Sequence, residues 1–523
     1  MKQRAILVMM SFLLVVGASN IFANGRQGAA TSSGSGNNLS YWVSLNPNVS
    51  ATFANLGETP FAKELAAKTN TVVKYLHPVQ GAESEQFNLI IASGEYPDIM
   101  EYNWLNYPGG PEKAIADGVI MKLNDIIDRY CPNLKAYLRS HPDIDKQIKT
   151  DNGSYYTFPF IRGDTYLLNS FGAVIRKDWL DELGLKVPAT IDEWYMVLTE
   201  FKQKKGVASP LSLEGAYLLS GESVFAYAYN LTPSFYVGDD KKVHYGMIEP
   251  SFKDYLITIS QWYKEGLFDP DIVSLTGAQV TAKVTSGASG ASIGWLASGM
   301  GNWITSGKAT NPSFALTGAP YPVLRGGAQR TIGRTDLPYA NNGVAITTAC
   351  KNIEAAARLL DYGYGEAGNL LFNFGVQGES YTMVNGYPTY STAIMNPPRE
   401  KSKGQMMATY ARSAYFGPMI QDRRYLEQYL TYPEQVEAAN LWMPNAVILA
   451  HKLPPLTPTP EESGEFARIM NEINTYTNEM VWKFILGSES FNNYDAFVNT
   501  VKQMRINRAV EIYNNALTRF NAR

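Results

Sequence analysis

The chain has only two cysteines, Cys131 and Cys350, in 523 residues. No disulfide framework can hold a protein of this size together, which leaves a single bridge or two separate buried thiols. Histidine is nearly as scarce. His77, His141, His244 and His451 are isolated, none has a partner at i+4, and no cysteine pair supplies zinc-ligand spacing, so metal catalysis has no support. No oxygen-rich loop has EF-hand spacing. Gly363, Gly365 and Gly368 match G-x-G-x-x-G but follow a helical stretch instead of a strand, the wrong setting for a pyrophosphate, and no cofactor is expected. A formal net charge of -3 and the lack of any Lys/Arg run exclude nucleic acid as a partner. Paired carboxylates for glycoside hydrolysis stay open, because their separation is a spatial quantity.

What is present is aromatic. Twelve per cent of the residues are Phe, Trp or Tyr, with 33 Tyr and 22 Phe, more than a core needs; either the periphery is Tyr-rich or a surface stacks on something. Hydrophobic content of 45% and charge of 18% are those of a globular protein, and the length calls for two or three domains or two interleaved lobes. Lys2 and Arg4 precede an apolar run from Ala5 to Val16, which reads as an export signal (residues 1–23) cleaved near Ala23. The run is shorter than the roughly 20 residues that span a bilayer, and no later segment is apolar enough. A lipid anchor would need a cysteine just after the signal, and the first is Cys131, so a soluble periplasmic protein is expected. Residues 24–38, rich in Gly, Ser, Ala and Gln, read as a flexible tether.

From Leu39 the chain alternates. Strands at Leu39–Val43, Thr71–Leu76 and Asp98–Met100 are separated by a helix opened by Thr59 and Pro60 and another around Phe87–Ala92 that ends at Gly94. This order predicts a parallel sheet covered on both faces. Ligands in such sheets sit beyond the carboxyl ends of the strands, which puts Trp42, Tyr102 and Trp104 on one rim. Ser154–Phe160 and Leu167–Ile175 are extended segments in succession, expected to cross from one lobe to another. Thr276–Gly301 is dominated by Gly, Ala and Ser, either a close-packed loop or a place where backbone approaches a ligand, with Trp295 and Trp303 as platforms. Tyr339–Ile346 reads as a strand. Asn385 and Gly386 mark a hairpin, and the chain beyond Pro398 is chiefly helical.

The stretch IRKDWLDELGLKVPATIDEWYMVLTEFK, Ile175 to Lys202, has the most explicit local grammar. Trp179, Leu180 and Leu183 form an apolar face, Gly184 stops the helix, and Leu185 is placed to fold back on it. After Pro188, Thr190 and Glu193 have capping-box spacing, and Ile191, Trp194, Tyr195, Leu198 and Phe201 recur at helical intervals.

With FNLIIASGEYPDIMEY at Phe87–Tyr102, QWYKEGLFDPDI at Gln261–Ile272, the block Asn341–Pro388 and KFILGSESFNNYDAFVNTVKQMRINRAVEIYNNAL near the C-terminus, this stretch resembles the extracellular solute-binding proteins of ABC importers, family 1, in the LipO-like or YtcQ-like branch. The resemblance implies an α/β fold of the two-lobe periplasmic-binding-protein type (type II), its lobes joined by crossing strands. Lobe 1 is expected at 39–165 and 338–390, and lobe 2 at 166–337 and 391–523. It also implies a carbohydrate ligand, an oligosaccharide closed between the lobes, and the permease subunits of an ABC transporter as partners of a monomeric protein. Many relatives carry a lipobox cysteine that this chain lacks. The ligand would be held by Trp42, Tyr102 and Trp104 from one lobe and Trp295 and Trp303 from the other. Glu379 and Tyr381, after the Gly378 turn, would add a polar contact and a ring, and Arg162 on the crossing would reach a hydroxyl or an acidic sugar. The rival readings are an exported hydrolase or lyase acting on glycans, and a subunit that presents the ligand to a sensor.

Overall fold

The computed structural model describes residues 37–412 and 416–523. The expected signal segment, and the tether up to residue 36, lie outside the described residues; Asn37 and Asn38, expected in the tether, instead open the first strand.

The β-branched and aromatic runs near the start form the sheet that their spacing predicts. Asn37–Trp42 lies parallel to both Thr71–Leu76 and Ile99–Tyr102, and these three make one side of a six-stranded sheet. Tyr339–Ile346 joins antiparallel to Ile99–Tyr102, followed outward by Phe158–Arg162 and, at the edge, Met419–Gln421. Side chains alternate across this sheet as the pleat requires. Leu39, Tyr41, Ile99, Val344 and Ile346 enter one buried cluster, while Trp42, Met100 and Ala345 enter another on the opposite face. Both faces of the inner strands are covered, whereas the edge strand Thr71–Leu76 leaves Val72 exposed.

Arg162 ends the crossing strand, and nine residues later, at Phe171, the chain enters a second sheet. There Phe171–Arg176 is the middle strand, antiparallel to Ala291–Trp295 and to Leu316–Gly318. The helical pair follows as its sequence specifies. Lys177–Leu183 stops at Gly184 in the left-handed conformation (φ 65°), and Leu185 N–H donates back to Leu180 O at 2.8 Å. Thr190 and Glu193 close a reciprocal capping box at the start of Ile191–Lys205. Trp179 and Phe201 then meet edge to face at 5.2 Å inside the larger core of the second lobe.

The Gly/Ala/Ser-rich stretch is ordered structure and not a loop. It contains the helix Gly277–Ser286, capped by Thr276 and Gln279, the strand Ala291–Trp295, a π-helical turn over Leu296–Gly301, and the helix Asn302–Thr310. Its small residues make room for large rings. A Cβ on Gly294 would stand 2.5 Å from Trp303, and one on Gly172, across the sheet, 2.3 Å from Trp442.

The hairpin Tyr381–Val384 and Tyr387–Tyr390 forms as expected, but it does not pack with the first lobe. Tyr381 and Tyr390 lie 5.9 and 5.4 Å from Phe374 in the core of the second lobe, whereas Leu371 and Phe372 belong to the first. The chain thus changes core near Asn373, well before residue 390, and Met419–Gln421 then returns to the first sheet. The last long helices, Pro460–Leu486, Tyr494–Gln503 and Ile506–Ala522, pack on the second core. Their end is stapled to the first lobe: Asp151 accepts from Arg519 Nε and Arg523 Nη2, each at 2.6 Å, and from Thr457 Oγ1 at 3.1 Å. Cys131 and Cys350 are separate buried thiols. Among the described residues no helix is long and apolar enough to cross a membrane.

Candidate functional site

Beyond the carboxyl ends of the first and third strands lies a cavity of about 460 Å³. Its wall is built by the turns that leave those strands: Val43 to Pro47 after Trp42, and Tyr102, Asn103 and Asn106 after Glu101. Gln80, Glu83, Asn342, Arg412 and Phe416 complete it. This is the position at which open α/β sheets bind ligands, since the loops there diverge and leave a crevice.

At the edge of the cavity is a buried charge group. Arg412 Nη2 donates to both oxygens of Glu101, at 2.6 and 2.8 Å, and Tyr41 OH donates to Glu101 Oε2 at 2.7 Å. Burial opposes the charge on Arg412, but Glu101, together with Tyr41 and Tyr75, outweighs it and holds the guanidinium above its ordinary pKa. Burial, and then Glu101, pushes the Tyr41 hydroxyl well up, and burial pushes Tyr75 up to about 12. The group is therefore a fixed carboxylate–guanidinium pair with a neutral phenol.

The remaining polar lining is mostly amide. The side chains of Gln80, Asn106 and Asn342 make no hydrogen bond among the described residues and are at least partly exposed. Asn46 and Asn103 use their carbonyl oxygens to accept from Asn48 N and Leu105 N, leaving their NH₂ groups directed elsewhere. A set of planar amides in a crevice offers paired donors and acceptors, the complement of vicinal hydroxyls.

The three aromatics expected on this rim do converge, but on Phe87. Tyr102 stacks on Phe87 at 3.9 Å, Trp104 meets it edge-on at 5.4 Å, and Trp42 lies 6.3 Å away. Only Tyr102 of the three lines the cavity. Trp42 is 4% exposed and Trp104 is 0% exposed, with Nε1 unpartnered among the described residues, so neither offers a ring face to a ligand in this conformation. Phe87, in the middle of a helix, has no sequence signal that distinguishes it from ordinary core.

In the second lobe Trp303 is also core, its Nε1 donating to Thr281 Oγ1 at 3.0 Å, and Tyr381 is buried beside Phe374. Glu379 is exposed on the turn before the hairpin and does not line the cavity. Trp295 is different. It is 37% exposed, one side resting on Phe171 at 4.9 Å, with the Arg334 guanidinium 5.5 Å from its ring centre. Arg334 links it to Arg162 of the first sheet. Arg162 pairs with Asp336 at 3.3 Å; Arg334 lies 2.9 Å from Asp336, without hydrogen-bond alignment, and 2.7 Å from Glu222. The structure therefore brings Arg162 and Trp295 into one chain of charges across the lobe crossing, and separates both from Glu379 and Tyr381.

Arg334, Glu222, Arg412 and the amide set escaped the sequence reading. The residues after the strand ends, 43–47 and 103–106, were accessible to the strand-end rule that selected Tyr102. Arg412 was not, since its partner lies 311 positions away.

The family model described as bacterial extracellular solute-binding protein matches residues 53–370. The fructooligosaccharide ABC transporter substrate-binding protein FusA of Streptococcus pneumoniae is 27% identical over 317 residues, 57% of this chain and 56% of that protein. Lipoprotein LipO of Bacillus subtilis is 23% identical over 353 residues, 63% of this chain and 65% of its own length. This chain thus matches between about half and two thirds of the length of these relatives. In fold, the crystal structure of the alginate-binding protein AlgQ2 without calcium ion superposes with a TM-score of 0.72 at 24% identity, covering 92% of this chain and 98% of that one.

Proposed function

The chain belongs to the bacterial extracellular solute-binding proteins, and we propose that it is the substrate-binding component of an ABC importer that captures an oligosaccharide between its lobes. The observation that carries this is the cavity at the strand ends, lined by five amide side chains, of which Gln80, Asn106 and Asn342 have no hydrogen-bond partner among the described residues. Sugars present hydroxyl pairs to amides and C–H faces to rings; in this reading Tyr102, which lines the cavity, and the partly exposed Trp295 supply the rings. A ligand that touches both lobes only when they approach makes the closed state depend on its presence, and a membrane permease then reads that state. The family is exported; we place this member in the periplasm, as a monomer.

Turnover is not part of the proposal. Glu101, the buried carboxylate of the cavity, has both oxygens engaged by Arg412 and one also by Tyr41, which suits it to hold a wall in place rather than to shuttle protons. The test is calorimetric titration and thermal shift of the protein with a panel of oligosaccharides. A ligand at a hundred times its Kd stabilises by about 2.7 kcal/mol, a rise of roughly 2–3 °C for a protein of this size. Trp295→Ala is expected to weaken the hit about tenfold or more while leaving the fold intact. Catalytic cleavage of the bound saccharide, abolished by Glu83→Gln or Glu101→Gln, would replace this reading with a glycan-active enzyme.

A further inference from the structure

We propose that the sugar unit held in the first-lobe cavity is uncharged, and that Glu83 excludes acidic sugars from it. The inference rests on the reading of the chain as a glycan-binding protein and narrows its ligand class.

The charges that line the cavity are two carboxylates, Glu83 and Glu101, and one guanidinium, Arg412. The positive charge is already neutralised, because Arg412 Nη2 contacts Glu101 at 2.6 and 2.8 Å. Among the described residues no lysine lines the cavity, and residues 413–415, which follow Arg412 in sequence, are Ser, Ala and Tyr. Glu83 is half-buried and has no ion pair or hydrogen bond among the described residues. It stands in the first turn of the helix Glu83–Ser93 together with Glu85, beside the exposed N–H groups and the positive end of the helix dipole. That helix end would otherwise attract a ligand anion; here the chain's own carboxylates occupy the role.

The amides sharpen the preference. A sugar hydroxyl both donates and accepts, so it satisfies the C=O and the NH₂ of Gln80, Asn106 and Asn342 alike. A uronate carboxylate only accepts, so it can use the NH₂ but not the C=O of each amide, and it sets its charge against that of Glu83. A like charge at about 5 Å, in an effective dielectric between about 20 and 80, corresponds to a penalty between roughly fourfold and roughly three-hundredfold in affinity. The matched relatives span both ligand classes, since FusA is named for fructooligosaccharide and AlgQ2 for alginate.

The experiment is calorimetric titration of the full protein with neutral tetrasaccharides of gluco-, galacto-, manno- and fructo-type and with tetragalacturonate and an alginate tetramer. The expected result is binding by at least one neutral compound and binding at least about tenfold weaker by both uronates, the gap narrowing as salt is raised. Glu83→Gln is expected to raise the affinity for uronate relative to the neutral ligand, whatever it does to either alone. Uronate binding as tight as neutral binding would overturn the inference while leaving the glycan-binding reading in place. An unchanged ratio in Glu83→Gln would remove Glu83 from the role. Binding by neither class, with the native circular dichroism spectrum retained, would overturn both.

Discussion

Replacing Arg412 by methionine isolates the charge pair on which the cavity wall depends. The side chains of Glu101 and Arg412 are 6% and 12% exposed, so the substitution leaves a carboxylate out of water with only the Tyr41 hydroxyl to oppose its charge. Breaking a buried pair from one side costs about 3–5 kcal/mol. Unfolding entropy of about 2.1 cal/mol/K per residue gives about 1 kcal/mol/K for a unit of some 490 residues, so Tm should fall by about 3–5 °C. Glu101→Gln with Arg412→Met removes the orphaned charge and keeps an acceptor for Tyr41. The double variant should therefore be more stable than Arg412→Met alone, with a coupling of about 1–3 kcal/mol. Scanning calorimetry on wild type, both single variants and the double variant measures all four corners of this cycle. A fall below about 1 °C in Arg412→Met, or strict additivity in the double variant, would refute the claim that the pair is buried and mutually dependent. Saccharide affinity measured on the same samples should drop in Arg412→Met, because the guanidinium also lines the cavity.

Three further outcomes follow from the geometry. Asp151→Ala removes the carboxylate that receives Arg519 and Arg523, the latter only 3% exposed in its side chain, and should cost about 2–3 kcal/mol with a matching fall in Tm. A change below about 0.5 kcal/mol would show that the staple between the last helix and the first lobe carries no stability. His244 is pulled down by burial, but its hydrogen bonds to Asp240 and Glu249 outweigh this and raise its pKa above 6.5. A raised folded value stabilises below the unfolded pKa, so this contribution is present below about pH 6.5 and disappears as pH climbs through the higher folded value. His244→Gln should flatten stability across that window by less than about 1 kcal/mol, because the side chain is about a third exposed; an unchanged slope in denaturant titrations would contradict it. Burial, and then Asp98, pushes the Cys350 thiol up to about 11, and burial raises Cys131 further still. Neither should react with a thiol reagent at pH 8 until the protein unfolds, when both should titrate; prompt labelling of the native protein would refute their burial.

The sequence by itself determined what depends on residues a few positions apart. Thr190 and Glu193 close their capping box across three residues, Gly184 stops a helix through its own backbone, and the β-branched and apolar runs at 39–43, 71–76 and 98–100, separated by helices, become parallel strands. Their alternation with helices was enough to locate the rim at which the cavity lies. Tertiary structure decided which side chains on that rim meet solvent, because burial is set by partners far away in the chain. Trp42 and Trp104 close on Phe87, Trp303 lies on Gly294, and Tyr381 packs on Phe374, so four rings expected to stack on a ligand stack on the protein. Trp295 stays open because Phe171 covers only one side of it. The cavity is lined instead by amides, by Glu83 and by Arg412, polar residues that have no periodicity to betray them and come together only when the strand ends, the helix at Glu83 and the segment around Arg412 meet in space.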